Sequence, residues 1–123
     1  MRLFFILGII PVPVFYTKRM DKKFAGMSYG FFILIRPSYR RDKGLHQHEL
    51  EHARQFWCGL WVIHALLYRY YDRYRAWAEI EAYKVQLSHA PPTHYSRLKR
   101  KYALFIATKY KLDITPSEAE RKL

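Results

Sequence analysis

The sequence predicts a small α+β domain in which short N-terminal strands precede a helical core. Residues 1–36 are rich in Phe, Ile, Val and Tyr and are cut by prolines and glycines, which is typical of short strands joined by turns. Residues 42–88 instead place apolar side chains at three- and four-residue steps, which indicates helix. Half of all residues are hydrophobic and 18% are aromatic, enough to bury a core. Strands followed by helices define the α+β class.

The length of 123 residues suits one hydrophobic core. We assign residues 1–112 to a single domain and residues 113–123 to a C-terminal tail. The stretch Thr115-Pro116-Ser117-Glu118 is a capping-box pattern with proline at the first helical position, so it predicts a short helix in the tail. The tail could place a carboxylate at a site on the domain, and a solvated, frayed end is the alternative. Its acids are Asp113, Glu118 and Glu120.

Two apolar runs in the N-terminal zone predict strands, which we expect to pair antiparallel. Residues 3–10 form a run that stops at Pro11 and Pro13 and has no signal-peptide cleavage pattern after it. The run is also shorter than the roughly 20 residues of a membrane-spanning helix, so it predicts a buried strand. Residues 29–35 are apolar on both faces and end before Pro37, which makes them the clearest strand.

The helical zone begins at Asp42, a favourable N-cap residue, and Gly59 is expected to break or kink it. Residues 61–68 are apolar nearly all round, which predicts a buried segment. Two stripes at helical spacing should face the core. They are Leu50, Ala53, Trp57 and Leu60, and then Trp77, Ile80, Tyr83 and Leu87.

A further basic amphipathic helix should follow the Ala90-Pro91-Pro92 stop, with Thr93 as its N-cap. Its apolar side should consist of Tyr95, Leu98, Tyr102, Phe105 and Ile106.

The net charge of +12 makes an anionic partner, nucleic acid or a membrane surface, compatible with the chain. The alternative is a solvated basic surface without a specific partner. Two clusters are the strongest candidates for an electrostatic contact, because their charges are closely spaced. They are Lys18-Arg19 with Lys22-Lys23, and Arg97 with Lys99-Arg100-Lys101. Cys58 is the one cysteine, so an intrachain disulfide is excluded and a cytoplasmic location is favoured. We expect no transmembrane segment.

The pattern His48-Glu49-x-x-His52 carries the strongest chemical signal. Residues four apart on a helix share one face, so the two imidazoles can bind one tetrahedral zinc ion. Glu49 lies beside that face, where it can accept a proton from a zinc-bound water. The pattern therefore predicts zinc, with His48 and His52 as ligands and Glu49 as the general base.

A third zinc ligand must come from elsewhere, because catalytic zinc usually has three protein ligands and one open position. The long metzincin pattern is absent, since Gln55 and Cys58 stand where that pattern requires Gly and His. The later stretch 77–83 offers Glu79 and Glu81, about 200° apart around a helix, so only one of them can face the metal. Three histidines remain as substitutes: His64, which we expect to be a core residue, and His89 and His94, which we expect to be exposed.

The chain resembles the short zinc metallopeptidases encoded by phages and prophages, which are similar to minimal gluzincins and to the catalytic core of HtpX-type proteases. The resemblance covers about residues 29–87 and rests on Gly44-Leu45, the stretch 48–55 and the stretch 78–83. It implies a small zincin-like domain with Glu79 as the third ligand. Tyr83 stands in place of the family's aspartate, so either its hydroxyl or another group must support a histidine ligand.

Together these features predict a zinc-dependent peptidase that acts on a peptide or protein substrate, in the bacterial host's cytoplasm if the chain is phage-encoded. Residues 29–35 are the expected edge strand that pairs with an extended substrate. Two alternatives remain open. One is a basic nucleic-acid-binding protein with a structural zinc or none. The other is a phage structural protein with an inactive peptidase-like fold.

Overall fold

The computed structural model describes residues 1–59 and 61–123, in which a four-stranded mixed sheet precedes five α-helices. The predicted α+β class is therefore confirmed. The strands are β1 (Arg2–Ile6), β2 (Ile10–Tyr16), β3 (Gly26–Ser28) and β4 (Ile33–Ile35). The helices are α1 (Lys43–Cys58), α2 (Val62–Tyr70), α3 (Asp72–Ser88), α4 (Tyr95–Lys109) and α5 (Pro116–Lys122).

The sheet has the order β1-β2-β4-β3 and combines two antiparallel hairpins. The pairs β1/β2 and β3/β4 are antiparallel as expected, whereas β2 and β4 are parallel, with Val14 opposite Ile33. Pro11 and Pro13 lie inside β2 and do not end it. Both prolines are tolerated because β4 pairs with β2 only from Val14 onward. Residues 11–13 therefore have no partner strand on that side, where a backbone N–H would otherwise be needed.

The prediction of a buried strand over residues 3–10 is wrong in extent and in burial. β1 ends at Ile6, and residues 7–9 form the hairpin turn. Because β1 is an edge strand with one face toward the helices, only alternate side chains are covered. Ile6 is buried, while Leu3 and Phe5 are 52% and 59% exposed.

The single strand predicted over residues 29–35 is a turn followed by a short strand. Residues 29–32 form the turn, in which Tyr29 N donates to Phe32 O at 2.9 Å, and only Ile33–Ile35 are extended as β4. Gly30 permits this turn because its φ is +82° and a Cβ there would lie 2.2 Å from Cδ1 of Phe56. β4 is an inner strand, so the expected edge strand is wrong as well. The edge on this side of the sheet is β3.

Helix α1 begins and ends where the sequence predicts. The Asp42 carboxylate accepts from Leu45 N at 2.9 Å, and Gly59 follows the last helical residue. Leu50 and Ala53 are buried against the sheet, and Trp57 packs partly against the same core. The fourth residue of the predicted stripe, Leu60, lies outside the described residues.

The prediction that residues 61–68 are buried is wrong. Val62 and Leu66 of α2 are 67% and 52% exposed, and within the described part of that helix only His64 is buried. The physical reason is that α2 packs against α3 on one face, while its other face has no extensive cover from the described elements. Apolar side chains of this helix therefore lie at the surface as well as in the interior, and its composition does not predict burial.

Helix α3 buries most of its predicted stripe, because Ile80, Tyr83 and Leu87 lie in a second hydrophobic core, separate from the core between the sheet and α1. Trp77 is an exception and is exposed, because Ala76 occupies the core-facing position one turn before Ile80. Ala78 and Ala82 are fully buried. Such small side chains allow α3 to pack closely against α1.

The C-terminal helices cover this second core. His94 occupies the N-cap position of α4, without a side-chain capping hydrogen bond, after a short 3-10 turn over Pro92–His94, so the predicted N-cap Thr93 is wrong. Tyr95 is exposed because it begins the first turn, beyond the core-facing Tyr102 and Ile106. The predicted C-terminal helix is α5, in which Thr115 accepts from Glu118 N at 3.2 Å and Ala119 is buried. The tail is thus docked, and is neither frayed nor placed at the histidines.

No helix in the two described ranges is long and apolar enough to cross a membrane.

Candidate metal centre

His48 and His52 lie one turn apart on α1, and their ring centroids are 4.9 Å apart. Helix α3 brings Glu79 opposite them. Nε2 of His52 lies 3.2 Å from Oε1 of Glu79, and Nε2 of His48 lies 3.7 Å from Oε2. One potential ligand atom from each residue lies within 4.8 Å of the other two. This group, which we call the His-His-Glu site, could hold a metal ion.

The tautomer of His52 is set by a side chain on its own helix. Nε2 of Gln55 donates to the Ala78 carbonyl at 3.1 Å, which orients the amide so that its oxygen faces His52. Nδ1 of His52 then donates to Oε1 of Gln55 at 3.1 Å. In the neutral imidazole the lone pair is therefore on Nε2, the atom that faces Glu79.

His48 is buried against aromatic and amide side chains of α3. The Tyr83 ring packs against its imidazole with a centroid separation of 4.3 Å. Burial first, and then the neighbouring His52, lower the pKa of His48 to about 3, so this histidine is neutral at neutral pH. Its Nδ1 and the Oε1 of Gln86 are both buried without a hydrogen-bond partner in the described structure. The Gln86 side chain acts to raise the pKa of His48 against the effect of burial, so Gln86 is the candidate support for His48.

The Glu79 carboxylate is only 1% exposed, and its two oxygens differ in their contacts. The Tyr68 hydroxyl donates to Oε1, whereas Oε2 has no hydrogen-bond partner among the described residues. Burial acts to raise the pKa of Glu79, but His52, His48 and Tyr68 hold it below its ordinary value. Glu79 in turn overrides the effect of burial on His52 and raises its pKa to about 9.

These contacts fit a cation between the three side chains. A buried carboxylate oxygen without a partner is costly unless a positive group satisfies it. Two imidazole Nε2 atoms and one carboxylate also form the nitrogen and oxygen donor set that leaves one position open on a catalytic metal. Without the metal, a proton on His52 compensates part of the charge of Glu79.

Glu49 follows His48 in the chain but is not a member of the His-His-Glu site. Its carboxyl is buried, and burial is the main cause that raises its pKa to about 7, opposed by His52 and reinforced by Glu79. Gly26 of β3 allows this packing, since a Cβ there would lie 3.1 Å from Oε1 of Glu49. A carboxyl with this pKa can exchange protons near neutral pH.

A cavity of about 340 Å³ connects the site with the edge strand. It is lined by the three residues of the His-His-Glu site, by Glu49 and by all of β3. An edge strand has unpaired backbone groups that can bind an extended chain. The strand beside the site is therefore β3, not the predicted segment 29–35.

The other candidate ligands are not members of the His-His-Glu site, although His64 lines the same cavity. Glu81 pairs with Lys84 at 3.5 Å, the ordinary helical partner that the sequence offers. His64 is a satisfied core residue, with Nδ1 at 2.6 Å from the Tyr74 hydroxyl. His89 and His94 are exposed, as expected.

Three supporting residues were not identified from the sequence: Gln55, Tyr68 and Gln86. Gln55 lies three residues after His52, so helical spacing places the two side chains together. Gln86 lies two turns after Glu79 on the same helix, which is a weaker signal. For Tyr68 the sequence carries no signal, because its contact with Glu79 depends on how α2 packs on α3.

Comparison with protein-family models, curated proteins and solved structures finds no significant match. The functional interpretation of this chain therefore depends on the buried group of His48, His52 and Glu79, which could hold a metal ion, and on the side chains around it.

Proposed function

We propose that this protein is a zinc-dependent metallopeptidase in which His48, His52 and Glu79 hold the ion and Glu49 is the general base. The observation that carries the proposal is the convergence of the two imidazoles and the carboxylate beside a second, buried carboxyl group. Zinc suits this set because it accepts nitrogen and oxygen ligands in tetrahedral sites and keeps one position for water or substrate. When bound, it would supply Lewis-acid chemistry to a water and to a peptide carbonyl.

The chain's own groups support hydrolysis of an extended peptide. The outer edge of β3, which lines the cavity at the site, can donate and accept backbone hydrogen bonds along a substrate and so hold the scissile bond beside the His-His-Glu site. Glu49 then accepts a proton from the attacking water and delivers it to the leaving amine. Its carboxyl is buried beside the His-His-Glu site, which shields it from bulk water during both steps.

Two further contacts keep the site ordered. Gln55 holds the His52 ring with Nε2 toward Glu79, and Tyr68 holds one oxygen of that carboxylate. The pKa of Tyr68 is raised by burial and by Glu79, so its hydroxyl remains a donor across the neutral range. These side chains position the ligands and do not themselves react.

The proposal is tested by peptide cleavage with zinc-loaded protein and the variant Glu49→Gln. Glutamine is close to glutamate in size but cannot accept the proton, so we expect zinc to be retained and cleavage to fall by at least about a hundredfold. Mass spectrometry of a mixed peptide pool after incubation measures the products without assuming a sequence. Wild-type protein that is fully loaded with zinc and leaves every peptide intact would contradict the proposal, as would undiminished cleavage by the variant.

A further inference from the structure

Lysines from both basic clusters of the sequence line one cavity beside the His-His-Glu site. Lys22 and Lys23 follow the first hairpin, and Lys101 and Lys109 lie on α4, yet all four line the same cavity of about 370 Å³. His48 and Glu49 line it too. The cavity, which we call the basic cavity, therefore ends at the group that we propose as the general base.

The lysines of the basic cavity have few opposing charges. Lys109 Nζ donates to the Lys23 carbonyl at 2.8 Å, and it lies 3.9 Å from the centroid of the Phe105 ring. Lys101 approaches the same ring at 5.7 Å. Among the described residues, none of these lysines has a carboxylate within ion-pair distance. Desolvation, followed by the charges of Lys101 and Lys23, lowers the pKa of Lys109, as expected for cations that repel each other.

One acid at the rim does not neutralise this charge. Asp42 lines the basic cavity, but its carboxylate accepts from Leu45 N and caps α1. Glu49 is buried at the inner end of the cavity, where it follows His48. A cavity with several cations and little opposing charge attracts an anionic group.

The cavity on the other side of Glu49, of about 340 Å³, is lined by fewer charged side chains than the basic cavity. It holds apolar side chains such as Met27, Phe56 and Ala65, and no Lys or Arg is found among the described residues that line it. His48 and Glu49 line both cavities, so they lie where the two meet. A chain that passes the site would meet apolar side chains in one direction and lysines in the other.

We propose that the basic cavity is a substrate subsite for carboxylates, so that the protein selects acidic peptides with an apolar residue on the opposite side of the cleaved bond. This inference rests on the proposed peptidase function. The carboxylate could be an Asp or Glu side chain or the free C-terminus of the peptide, since both present the same group to the lysines. A peptide fits better than a nucleic acid, because the neighbouring cavity and β3 suit apolar side chains and an extended backbone.

The test uses zinc-loaded protein and four matched peptides. One peptide has Glu residues on one side of a central apolar residue, a second has Gln in their place, and each is made with a free and an amidated C-terminus. Cleavage efficiency is compared for each pair. We expect at least a tenfold preference for the carboxylate-bearing peptide, about what one charge-assisted contact provides. A preference for Glu over Gln identifies the acidic side chain as the bound carboxylate. A preference for the free over the amidated form identifies the C-terminal carboxylate. Either result supports the subsite.

Charge removal on α4 connects the preference with the cavity. Lys101→Gln should reduce the ratio of acidic to neutral cleavage, whereas Lys99→Gln, on the same helix but not among the residues that line the cavity, should leave it unchanged. Equal cleavage of all four peptides would overturn the subsite and leave the peptidase proposal standing. Reduction of the ratio by both variants alike would also overturn it, because the preference would then depend on net charge alone.

A binding measurement separates the two proposals. Fluorescence anisotropy with labelled peptides and zinc-loaded Glu49→Gln protein requires no turnover. If no peptide is cleaved by wild type but the acidic peptide still binds more tightly than its Gln counterpart in a Lys101-dependent way, the peptidase proposal fails and the carboxylate subsite stands. Equal binding of both peptides would overturn the subsite. Lys101-dependent binding of a single-stranded oligonucleotide that is tighter than binding of the acidic peptide would also overturn it, because it would indicate a nucleic-acid ligand.

Discussion

Nδ1 of His52 lies 3.1 Å from Oε1 of Gln55, one turn further along the same helix. The amide is held in turn by the Ala78 carbonyl on α3. A single glutamine therefore orients one histidine of the His-His-Glu site and connects the two helices that form the site.

Replacing Gln55 should weaken metal binding although this residue is not itself a ligand. Gln55→Leu removes the acceptor for His52 Nδ1, so the imidazole loses its preferred tautomer and orientation, and we expect zinc affinity to fall about 10–100-fold. Gln55→Glu keeps an oxygen acceptor at that position and should retain more of the affinity. Competition with a chromophoric chelator measures both constants. Unchanged affinity in the Leu variant would show that the contact does not order the site.

Glu79 and Glu81 provide a matched pair for the third ligand. Glu79→Ala removes a buried carboxylate between the two histidines and should lower zinc affinity by well over tenfold. Glu81→Ala breaks only a surface pair with Lys84, so both zinc affinity and the free energy of unfolding should remain near the wild-type values. The same chelator competition applies here. A greater loss with Glu81→Ala would assign the ligand to that residue.

Gly26→Ala should separate catalysis from metal binding. The added Cβ would lie 3.1 Å from Oε1 of Glu49, so the carboxylate must move by a few tenths of an ångström. A proton-transfer group that is displaced loses efficiency, and we expect kcat to fall several-fold while zinc content stays at the wild-type level. Parallel metal analysis and peptide turnover measure the two effects. Loss of zinc together with activity would mean that Gly26 supports the fold of the site as a whole.

The metal-free protein should lose stability on the alkaline side of neutrality. The folded protein raises the pKa of His52 from 6.5 to about 9, so the proton contributes its full stabilisation below pH 6.5 and loses it as the pH rises through 9. Tm in the presence of a chelator should therefore fall between pH 7 and pH 9. His52→Gln lacks this group and should show a flatter profile. Profiles that coincide for the two proteins would exclude His52 as the titrating group.

The local parts of the site could be predicted from the sequence because they depend on helical spacing. His48 and His52 share a face at any packing of α1, and Asp42 and Gly59 mark the ends of that helix by capping chemistry alone. Helical spacing shows that only one of Glu79 and Glu81 can face the metal, whereas the choice of Glu79 depends on the family resemblance.

The remaining features depend on tertiary packing. The apolar stretch 29–35 contains both a turn and an inner strand, and its composition does not show where the chain reverses. The parallel pairing of β2 and β4 joins segments whose pattern fits either direction. Tyr68 contacts Glu79 only because α2 packs on α3, and the apolar outer face of α2 shows that hydrophobicity does not by itself specify burial.

The most direct measurement of the central claim is the position of bound zinc in crystals of the zinc-loaded protein, from anomalous diffraction at the zinc absorption edge. We expect one strong peak at the His-His-Glu site, about 2.0–2.2 Å from Nε2 of His48, Nε2 of His52 and a carboxylate oxygen of Glu79. Zinc bound only at other residues, or no peak at these three side chains under saturating zinc, would contradict the assignment.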